Sequence, residues 1–289
     1  MNSGELTYTN SGQPTAGHAV VDGVAMTTRH APQPSPRPPV VLVHGGMHGA
    51  WMWADAQEWL SDRGWDSVAV DLLSHGRSRA LPTEQWLTRS LLDSAFEIDV
   101  ACQSVAGNPL PPVVMAWSMG GLAALAHAAG RRQPLTAVVL LCPVVPTQFG
   151  GAEIPIPVNP DEPVDPFPAD VAHRLFYDGM SADKAAAFSK QLQAESPRAV
   201  LEATRWTAEL DVSGIEAPTL AIGAENDELI PPAYVQSLAA AIPGASYIHL
   251  RGTGHGVPVN PGWEFLMSTV TSWLSLVATG DGPDAGISR

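Results

Sequence analysis

Cysteine is scarce in this chain, and the shortage limits what the protein can be. Two cysteines occur among 289 residues, and Cys102 and Cys142 both stand in apolar stretches typical of a helix and a buried strand. Neither a disulfide framework nor a metal-ligand spacing can be built from such a pair. We therefore expect no structural disulfide and no metal.

Long hydrophobic runs are missing as well. The longest of them, such as residues 135–145, are too short to cross a bilayer. Residues 1–12 have neither a basic start nor an apolar run, so they do not resemble a secretory signal. On these grounds we expect a cytoplasmic protein without a membrane partner.

Positive charge is the third shortage. The chain has 15 lysine and arginine residues against 29 aspartate and glutamate residues, a formal net charge of -14. Because nucleic acids and anionic membranes attract clustered cations, we expect no nucleic-acid partner. The proportions of 45% hydrophobic and 15% charged residues are those of a folded globular protein. Nothing in them fixes an oligomeric state.

From Val40 onward, short apolar runs alternate with amphipathic segments of helical length. This alternation is typical of repeated βαβ units, so it predicts a mostly parallel central sheet with helices on both faces. An antiparallel hairpin that turns at Asp22 and Gly23 is expected to precede it. The predicted strands are residues 40–43, 66–72, 113–117, 135–142, 218–223 and 246–250. The predicted helices are residues 51–63, 87–105, 119–132, 231–241 and 262–277.

The alternation is interrupted by a proline-rich stretch without a clear period. Helical patterns follow it, with Ser181 and Ser196 as predicted starts. We interpret this part of the chain as a helical cap inserted after the sixth strand. The predicted division assigns residues 1–145 and 213–279 to one core, residues 146–212 to the cap and residues 280–289 to a disordered tail.

The sharpest feature of the sequence is a serine between an apolar strand and a helix. Ser118 follows the run VVMAW of residues 113–117 and precedes two glycines after one methionine. This placement predicts a tight, strained turn that exposes the hydroxyl, with Ala116 in place of the first glycine of the common G-x-S-x-G pattern. We predict that Ser118 is a nucleophile; the competing interpretation is a serine that only caps a helix.

A glycine pair follows the first strong strand, in the run HGGM of residues 44–47. Such a pair lets a loop direct a backbone amide at the serine, while the residue after the nucleophile supplies a second amide. Gly46 and Met119 are therefore the predicted oxyanion donors. His44 is predicted to be a structural hydrogen-bonding residue, and His48 a substrate contact.

An acid and a base follow two later strands. Serine is a weak nucleophile, so it needs a base, and a neutral histidine needs a partner that fixes its tautomer. Asp227 and His255 each follow a predicted strand, and the carboxyl ends of parallel strands meet at one edge of a sheet. We predict that His255 is the base and Asp227 the orienting acid, with Glu225 as the rival acid.

Together these features resemble the α/β-hydrolase superfamily over residues 19–277. The HGG loop, the turn at Ser118, the acid Asp227 and the turn at His255 match by position. Residues 71–78, DLLSHGRS, resemble a further loop of the family that we expect to be structural. The resemblance implies the α/β-hydrolase fold and a hydrolase that needs no cofactor.

A narrower resemblance lies within residues 44–53, HGGMHGAWMW. This run is similar to the opening of the plant methylesterase and hydroxynitrile lyase group. Lyases of that group have a lysine next to the catalytic histidine, whereas this chain has Gly256 there, so lyase activity is disfavoured. Trp117 also departs from the histidine that many relatives have before the nucleophile.

These observations predict a serine hydrolase that cleaves the carboxylic ester of a small or medium-sized, largely apolar small molecule through an acyl-enzyme. A thioesterase, lactonase, amidase, carbon–carbon bond hydrolase or acyltransferase would use the same three residues. A non-catalytic ligand receptor of the same fold is the alternative from another class. The predicted substrate-binding residues are Met47, His48, Trp117, Phe176 and Phe188. Further cap residues are either pocket walls or cap core: Phe167, Leu175, Tyr177 and Met180.

Overall fold

A computed structural model describes residues 16–278 of the chain. Within these residues eight strands form one sheet, and its spatial order is that of the first, second, fourth, third, fifth, sixth, seventh and eighth strand. The strands are β1 (Ala16–Val21), β2 (Val24–Arg29), β3 (Val40–Val43), β4 (Ser67–Val70), β5 (Val113–Trp117), β6 (Ala137–Leu141), β7 (Thr219–Ala224) and β8 (Ser246–Leu250). The predictions for residues 1–12 and 280–289 lie outside the described residues.

The sheet is antiparallel at one edge and parallel elsewhere. β1 and β2 form an antiparallel hairpin and β2 pairs antiparallel with β4, whereas the pairs from β4 through β8 are parallel. The hairpin turns at Asp22 and Gly23, whose φ values of 51° and 85° are the left-handed ones that a two-residue turn requires. The predicted hairpin and mostly parallel sheet are both confirmed.

Helices cover both faces of this sheet. Alternate residues of β3 point to opposite faces, so that Val41 and Val43 pack in one buried cluster while Val40 and Leu42 pack in the other. Burial on both faces explains why the central strands β3, β5 and β6 are apolar throughout. The helices are α1 (Ala54–Asp62), α2 (Thr83–Leu87), α3 (Ala95–Ser104), α4 (Met119–Ala129), α5 (Ala169–Phe176), α6 (Ala182–Ser189), α7 (Pro197–Arg205), α8 (Pro232–Ala241) and α9 (Trp263–Ala278).

The predicted single helix over residues 87–105 is wrong, because the chain breaks between α2 and α3. Ser90 has extended backbone at the break, and its hydroxyl accepts a hydrogen bond from the Leu92 amide at 3.1 Å. The Glu202 carboxylate, in α7, accepts from the Ser90 hydroxyl at 2.9 Å and from the Leu91 amide at 2.8 Å. A buried carboxylate distant in sequence therefore stabilises a helix start where periodicity predicts continuity.

The segment between β6 and β7 contains α5, α6 and α7. Ser181 and Ser196 are the N-caps of α6 and α7, and their hydroxyls accept from the amides of Lys184 and Ala199, so both predicted helix starts are confirmed. We retain the division into core and cap as a proposal. Between residues 16 and 278, no helix has both the length and the apolar character needed to cross a membrane.

Candidate active site

Ser118, His255 and Asp227 meet at one edge of the sheet. They follow the carboxyl ends of β5, β8 and β7, three strands that run in parallel. Ser118 Oγ lies 2.8 Å from His255 Nε2, and His255 Nδ1 lies 2.8 Å from Asp227 Oδ2. All three residues are buried, so they form one continuous hydrogen-bonded chain from hydroxyl through imidazole to carboxylate.

Strained backbone at Ser118 holds its hydroxyl in this position. The residue has φ 55° and ψ -123°, a combination that costs free energy and persists only where the surroundings enforce it. The Ser118 amide donates to Leu141 O at 3.0 Å, and its carbonyl oxygen accepts from the amides of Gly121 and Val144 at 2.9 Å each. Hydrogen bonds on both sides of the turn therefore enforce the strained conformation.

Asp227 is oriented by the loop that it starts. Its Oδ1 accepts from the amides of Leu229 and Ile230 at 2.9 and 2.8 Å, which leaves Oδ2 for the imidazole. The rival acid Glu225 is exposed, and its carboxylate accepts instead from the Gly252 amide at 2.8 Å. The geometry thus brings Asp227, and not Glu225, to the histidine.

The hydrogen-bond partners also decide which imidazole nitrogen has the proton. An ionised carboxylate only accepts hydrogen bonds, so Nδ1 of a neutral His255 is the protonated nitrogen. Nε2 then presents its lone pair to the Ser118 hydroxyl. In this tautomer the ring can take the serine proton.

Two side chains hold the loop that contains His255. Trp117 Nε1 donates to the His255 carbonyl oxygen at 2.8 Å, and the Gly254 amide donates to Asp178 Oδ2 at 3.1 Å. The sequence predicts Trp117 as a substrate contact, but its ring is fully buried behind the serine turn. Sequence reasoning missed Asp178, because nothing in the sequence links the turn after α5 to this loop.

Gly256 lies directly against the segment between β6 and β7. A Cβ atom at this position would be 1.8 Å from the Phe176 carbonyl oxygen, so no side chain fits without moving the backbone. The lysine expected there in a hydroxynitrile lyase therefore has no room.

The predicted oxyanion donors flank the serine. A Cβ atom at Gly45 would lie 2.8 Å from Ser118 Cβ, which shows how closely the glycine loop approaches the hydroxyl. Met119 is the first residue of α4, where a helix amide has no acceptor within its own helix. Gly46 and Met119 both line the cavity in front of Ser118, so both predicted donor residues lie beside the serine.

His44 and His48 hold this loop through both of their ring nitrogens. His44 donates to Gly45 O at 2.7 Å and accepts from the Leu72 amide at 3.0 Å, as predicted for a structural residue. His48 bonds to Gly46 O at 2.7 Å and to the Tyr177 hydroxyl at 2.8 Å. Burial lowers the pKa of each histidine to about 3, so both rings are neutral.

His48 and Phe188 differ from their predicted roles as substrate contacts. Both nitrogens of His48 are already bonded within the protein, which leaves none for a substrate. The Phe188 ring packs on the rings of Trp51 and Tyr177, at centroid distances of 5.3 and 5.5 Å. His48 thus connects the glycine loop to Tyr177, and Phe188 packs the segment between β6 and β7 against Trp51.

An open cavity lies in front of Ser118, and the empty space in and before it, open solvent included, is about 460 Å³. Its wall contains Met47 and Phe176, two of the predicted contacts. The Thr204 hydroxyl, one of its few polar groups, already donates to Val200 O at 2.7 Å, so the wall offers mainly hydrocarbon. The lining residues are Gly46, Met47, Ser118, Met119, Val144, Ile154, Ile156, Phe167, Phe176, Val200, Ala203, Thr204, Leu229 and Ile230.

Three further cap residues lie in a buried cluster and do not line the cavity. Leu175, Tyr177 and Met180 belong to the buried cluster on one face of the sheet. Ile154 and Ile156 line the cavity, but they lie in the aperiodic proline-rich stretch, where no pattern marks a side chain as facing a cavity.

One group of metal-ligating types gathers within residues 16–278. Ligand atoms of Cys142, Asp227 and His255 lie within 4.8 Å of one another. Asp227 and His255 use theirs for their mutual hydrogen bond. Burial and the adjacent Asp227 carboxylate raise the pKa of the Cys142 thiol, so the third group is a neutral thiol. The mutual hydrogen bond therefore explains why Asp227 and His255 lie together.

The chain is similar in sequence to known proteins. Residues 40–263 match the model of the family described as "Alpha/beta hydrolase family". The chain is similar to a pimeloyl-[acyl-carrier protein] methyl ester esterase of Stenotrophomonas maltophilia (strain K279a), with 27% identity over 75% of this chain and 86% of that protein. It is also similar to a monoacylglycerol lipase of Mycolicibacterium smegmatis, with 26% identity over 84% of this chain and 90% of that protein.

The fold recurs among solved structures. The esterase RhEst1 from Rhodococcus sp. ECU1013 superimposes with a TM-score of 0.66 at 19% identity, over 91% of this chain and 99% of that one. At this level of identity the likeness concerns the fold. The superposition covers much more of the chain than the three strands that precede Ser118, Asp227 and His255.

Proposed function

This chain belongs to the alpha/beta hydrolase family, and we propose that it is a serine esterase in which Ser118 is the nucleophile, His255 the general base and Asp227 the orienting acid. The observation that carries the proposal is the hydrogen-bonded chain of these residues, with 2.8 Å at both links. It lies beside an apolar cavity, in which we propose that the substrate binds.

The proposed reaction proceeds in two halves. His255 Nε2 takes the Ser118 proton as Oγ attacks the ester carbonyl carbon, and the proton then passes to the departing alkoxide. An acyl-enzyme remains on Ser118. His255 next takes a proton from water, which attacks the acyl carbon, and returns it to Oγ as the carboxylic acid leaves. Asp227 stabilises the imidazolium in both halves.

Two backbone amides are proposed to stabilise the oxyanion of each tetrahedral intermediate. They belong to Gly46 and Met119, which flank Ser118 in the cavity wall. The N-terminus of α4 adds its positive dipole end at Met119. Donors fixed before the reaction begins need no rearrangement as charge develops, which is the main source of their effect.

The proposed substrate is the ester of a small or medium-sized, largely apolar small molecule. The hydrocarbon wall of the cavity favours an uncharged group beside Ser118, since an unpaired charge there would lose its hydration without compensation. The two curated relatives bear the names of an esterase and a lipase, which supports an ester over other acyl compounds. Glycine at position 256 disfavours a lyase.

A series of p-nitrophenyl esters of increasing acyl length tests this proposal. Wild type is expected to turn over short and medium chains, and Ser118→Ala to lose turnover. Ser237→Ala is the matched control, because that exposed hydroxyl on α8 bonds only to Ala233 O among the described residues. Turnover of thioesters or lactones in preference to esters would correct the substrate class. Tight ligand retention without turnover by folded wild type would favour a receptor.

A further inference from the structure

Met47, the residue after the proposed oxyanion glycine, has strained backbone. Its φ is 64°, in the left-handed region that residues other than glycine rarely adopt. Met47 is only 3% exposed, so it does not lie in a mobile, solvent-exposed loop that could release the strain. A conformation of this kind persists only where neighbouring groups hold it.

The segment between α6 and α7 holds Met47 on both sides of its backbone. Glu195 Oε2 accepts from the Met47 amide at 3.0 Å, and the Gln193 amide donates to Met47 O at 2.9 Å. Gln193 is itself fixed, since its side-chain oxygen accepts from the Gly76 amide at 2.6 Å. Both polar groups of the strained residue are thus held from outside the glycine loop.

Glu195 is anchored on every side. Its backbone pairs with Val164 through two hydrogen bonds of 2.9 Å, and its Oε1 accepts from the Ser196 amide at 2.9 Å. Its Oε2 lies 3.2 Å from His75 Nε2, and both side chains are buried. His75 belongs to the SHGRS loop after β4, for which the reaction described above has no role.

Each member of this pair favours the charged form of the other. Burial alone would raise the pKa of Glu195, but the His75 cation and the amides of Met47 and Ser196 lower it to about 2. Burial would lower the pKa of His75, but the Glu195 carboxylate outweighs it and raises the pKa. Other charged or titratable groups around the pair are His44, His48, Asp71 and Arg89.

A buried ion pair gains little net stability, because desolvation offsets its attraction. Stability alone therefore does not explain why the carboxylate lies beside the Met47 amide. The Met47 amide and the proposed Gly46 donor belong to successive peptide groups that are joined at the Gly46 Cα atom. Losing the hydrogen bond that fixes the Met47 amide would therefore free the rotation about Gly46 that orients the donor toward Ser118.

We propose that Glu195 is a positioning residue that holds the oxyanion loop in its reactive conformation. The inference rests on the proposed function, because the loop needs this conformation only if Gly46 donates to an oxyanion. Glu195 touches no reacting atom and acts through the Met47 amide, with His75 maintaining its charge.

The variant Glu195→Gln tests this role, and Glu202→Gln is its matched control. Both carboxylates are buried in the segment between β6 and β7 and bind backbone amides of the core, but Glu202 binds Leu91, away from the glycine loop. Misplacing one oxyanion donor costs part of the roughly 100- to 1000-fold effect of losing it. For Glu195→Gln we expect kcat to fall by at least about 10-fold at nearly unchanged KM. For Glu202→Gln we expect kcat to remain within about threefold.

Hydrogen exchange of the Met47 amide provides a readout that is independent of ester turnover. Exchange should accelerate in Glu195→Gln relative to wild type and to Glu202→Gln. Unchanged exchange, or an equal fall of kcat in both variants, would overturn the proposal. Should wild type cleave no ester, the proposed function fails, while exchange still decides whether Glu195 holds the loop. If Glu195→Gln does not fold, Glu195→Asp keeps the charge at shorter reach and is expected to lower kcat in the same way.

Discussion

Two buried pairs of histidine and carboxylate lie near this edge of the sheet, and they differ in what the second ring nitrogen meets. His255 faces Asp227 with Nδ1 and the Ser118 hydroxyl with Nε2. His75 faces the Glu195 carboxylate with Nε2, and its Nδ1 lies 3.4 Å from Leu73 O. One ring has an acceptor and a donor as neighbours, whereas the other has two acceptors.

This difference sets what each ring can do. Two acceptors beside the His75 ring, above all the Glu195 carboxylate, raise its pKa. An acceptor and a hydroxyl let a neutral His255 ring present a lone pair to the hydroxyl. A carboxylate partner therefore does not by itself make a histidine a base, because the remaining nitrogen must also face a group that can lose a proton.

The largest expected effect comes from replacing the histidine of each pair. His255→Ala removes the proposed base and is expected to lower kcat by about a million-fold, as the corresponding change does in subtilisin. His75→Gln leaves the carboxylate on the Met47 amide, so its loss should stay below the roughly 100-fold cost of one oxyanion donor. Steady-state kinetics on a p-nitrophenyl ester measures both. Equal losses would mean that the two pairs are not distinguished by the second nitrogen.

The next effect concerns the carboxylate of the first pair. Asp227→Asn can hold the wrong tautomer of His255, so kcat should fall by about 10,000-fold. The exposed Glu225 is the matched control, since its carboxylate binds the Gly252 amide instead, and Glu225→Gln should keep nearly full turnover. A greater loss in Glu225→Gln than in Asp227→Asn would reverse the assignment of the acid.

A smaller effect concerns the support behind the first pair. Trp117→Phe removes the donor to His255 O. The loss of this hydrogen bond should cost about 1 kcal/mol of unfolding free energy. It should also lower kcat by about 10-fold, because the base would move by a fraction of an ångström. Trp65→Phe is the control, because within the described residues the Trp65 Nε1 atom is buried without a hydrogen-bond partner. Urea unfolding and kcat measure the two effects. An unchanged kcat in Trp117→Phe would show that its hydrogen bond does not position His255.

The smallest effect is a pH dependence of stability from the second pair. Glu195 has a lowered pKa, so its contribution is present above its ordinary value of 4.5 and is lost as the pH falls. His75 has a raised pKa, so its contribution is present below 6.5 and is lost as the pH rises through the folded value. The pair therefore contributes most between about pH 4.5 and 6.5.

Accordingly, Glu195→Gln should cost more unfolding free energy at pH 5.5 than at pH 9. This sign follows because the raised pKa of His75 means that its cation is lost as the pH rises. Urea denaturation at the two pH values measures the cost. The same comparison made in a His75→Gln background should show little pH dependence. A larger cost at pH 9 would contradict the assigned charges.

Local patterns explain why the first pair is predictable from the sequence. Ser118, Asp227 and His255 each follow a strand that the sequence predicts, at a turn rich in small residues, and parallel strands bring such turns to one edge. The sheet is predictable for the same reason, since strands buried on both faces are apolar throughout.

Long-range contacts explain why the second pair is not predictable. Glu195 and the Met47 amide are 148 residues apart, and Asp178 and the Gly254 amide are 76 residues apart. The helix break at Ser90 depends in the same way on Glu202, at a separation of 112 residues. No periodicity in one segment encodes a partner in another.

Aromatic residues of the segment between β6 and β7 are a third case. Phe176 lines the cavity, whereas Phe188 packs on Trp51. Both are apolar residues on helical patterns, so the sequence cannot separate a cavity wall from an internal contact. That choice depends on how the segment packs on the core.

The measurement that tests the central claim most directly is covalent labelling of the purified wild type with a fluorophosphonate, followed by mass spectrometry of the labelled peptide. The account predicts one adduct, on Ser118, that forms slowly in His255→Ala and is absent from Ser118→Ala. Folded wild type without an adduct, or with an adduct on another serine, would contradict it.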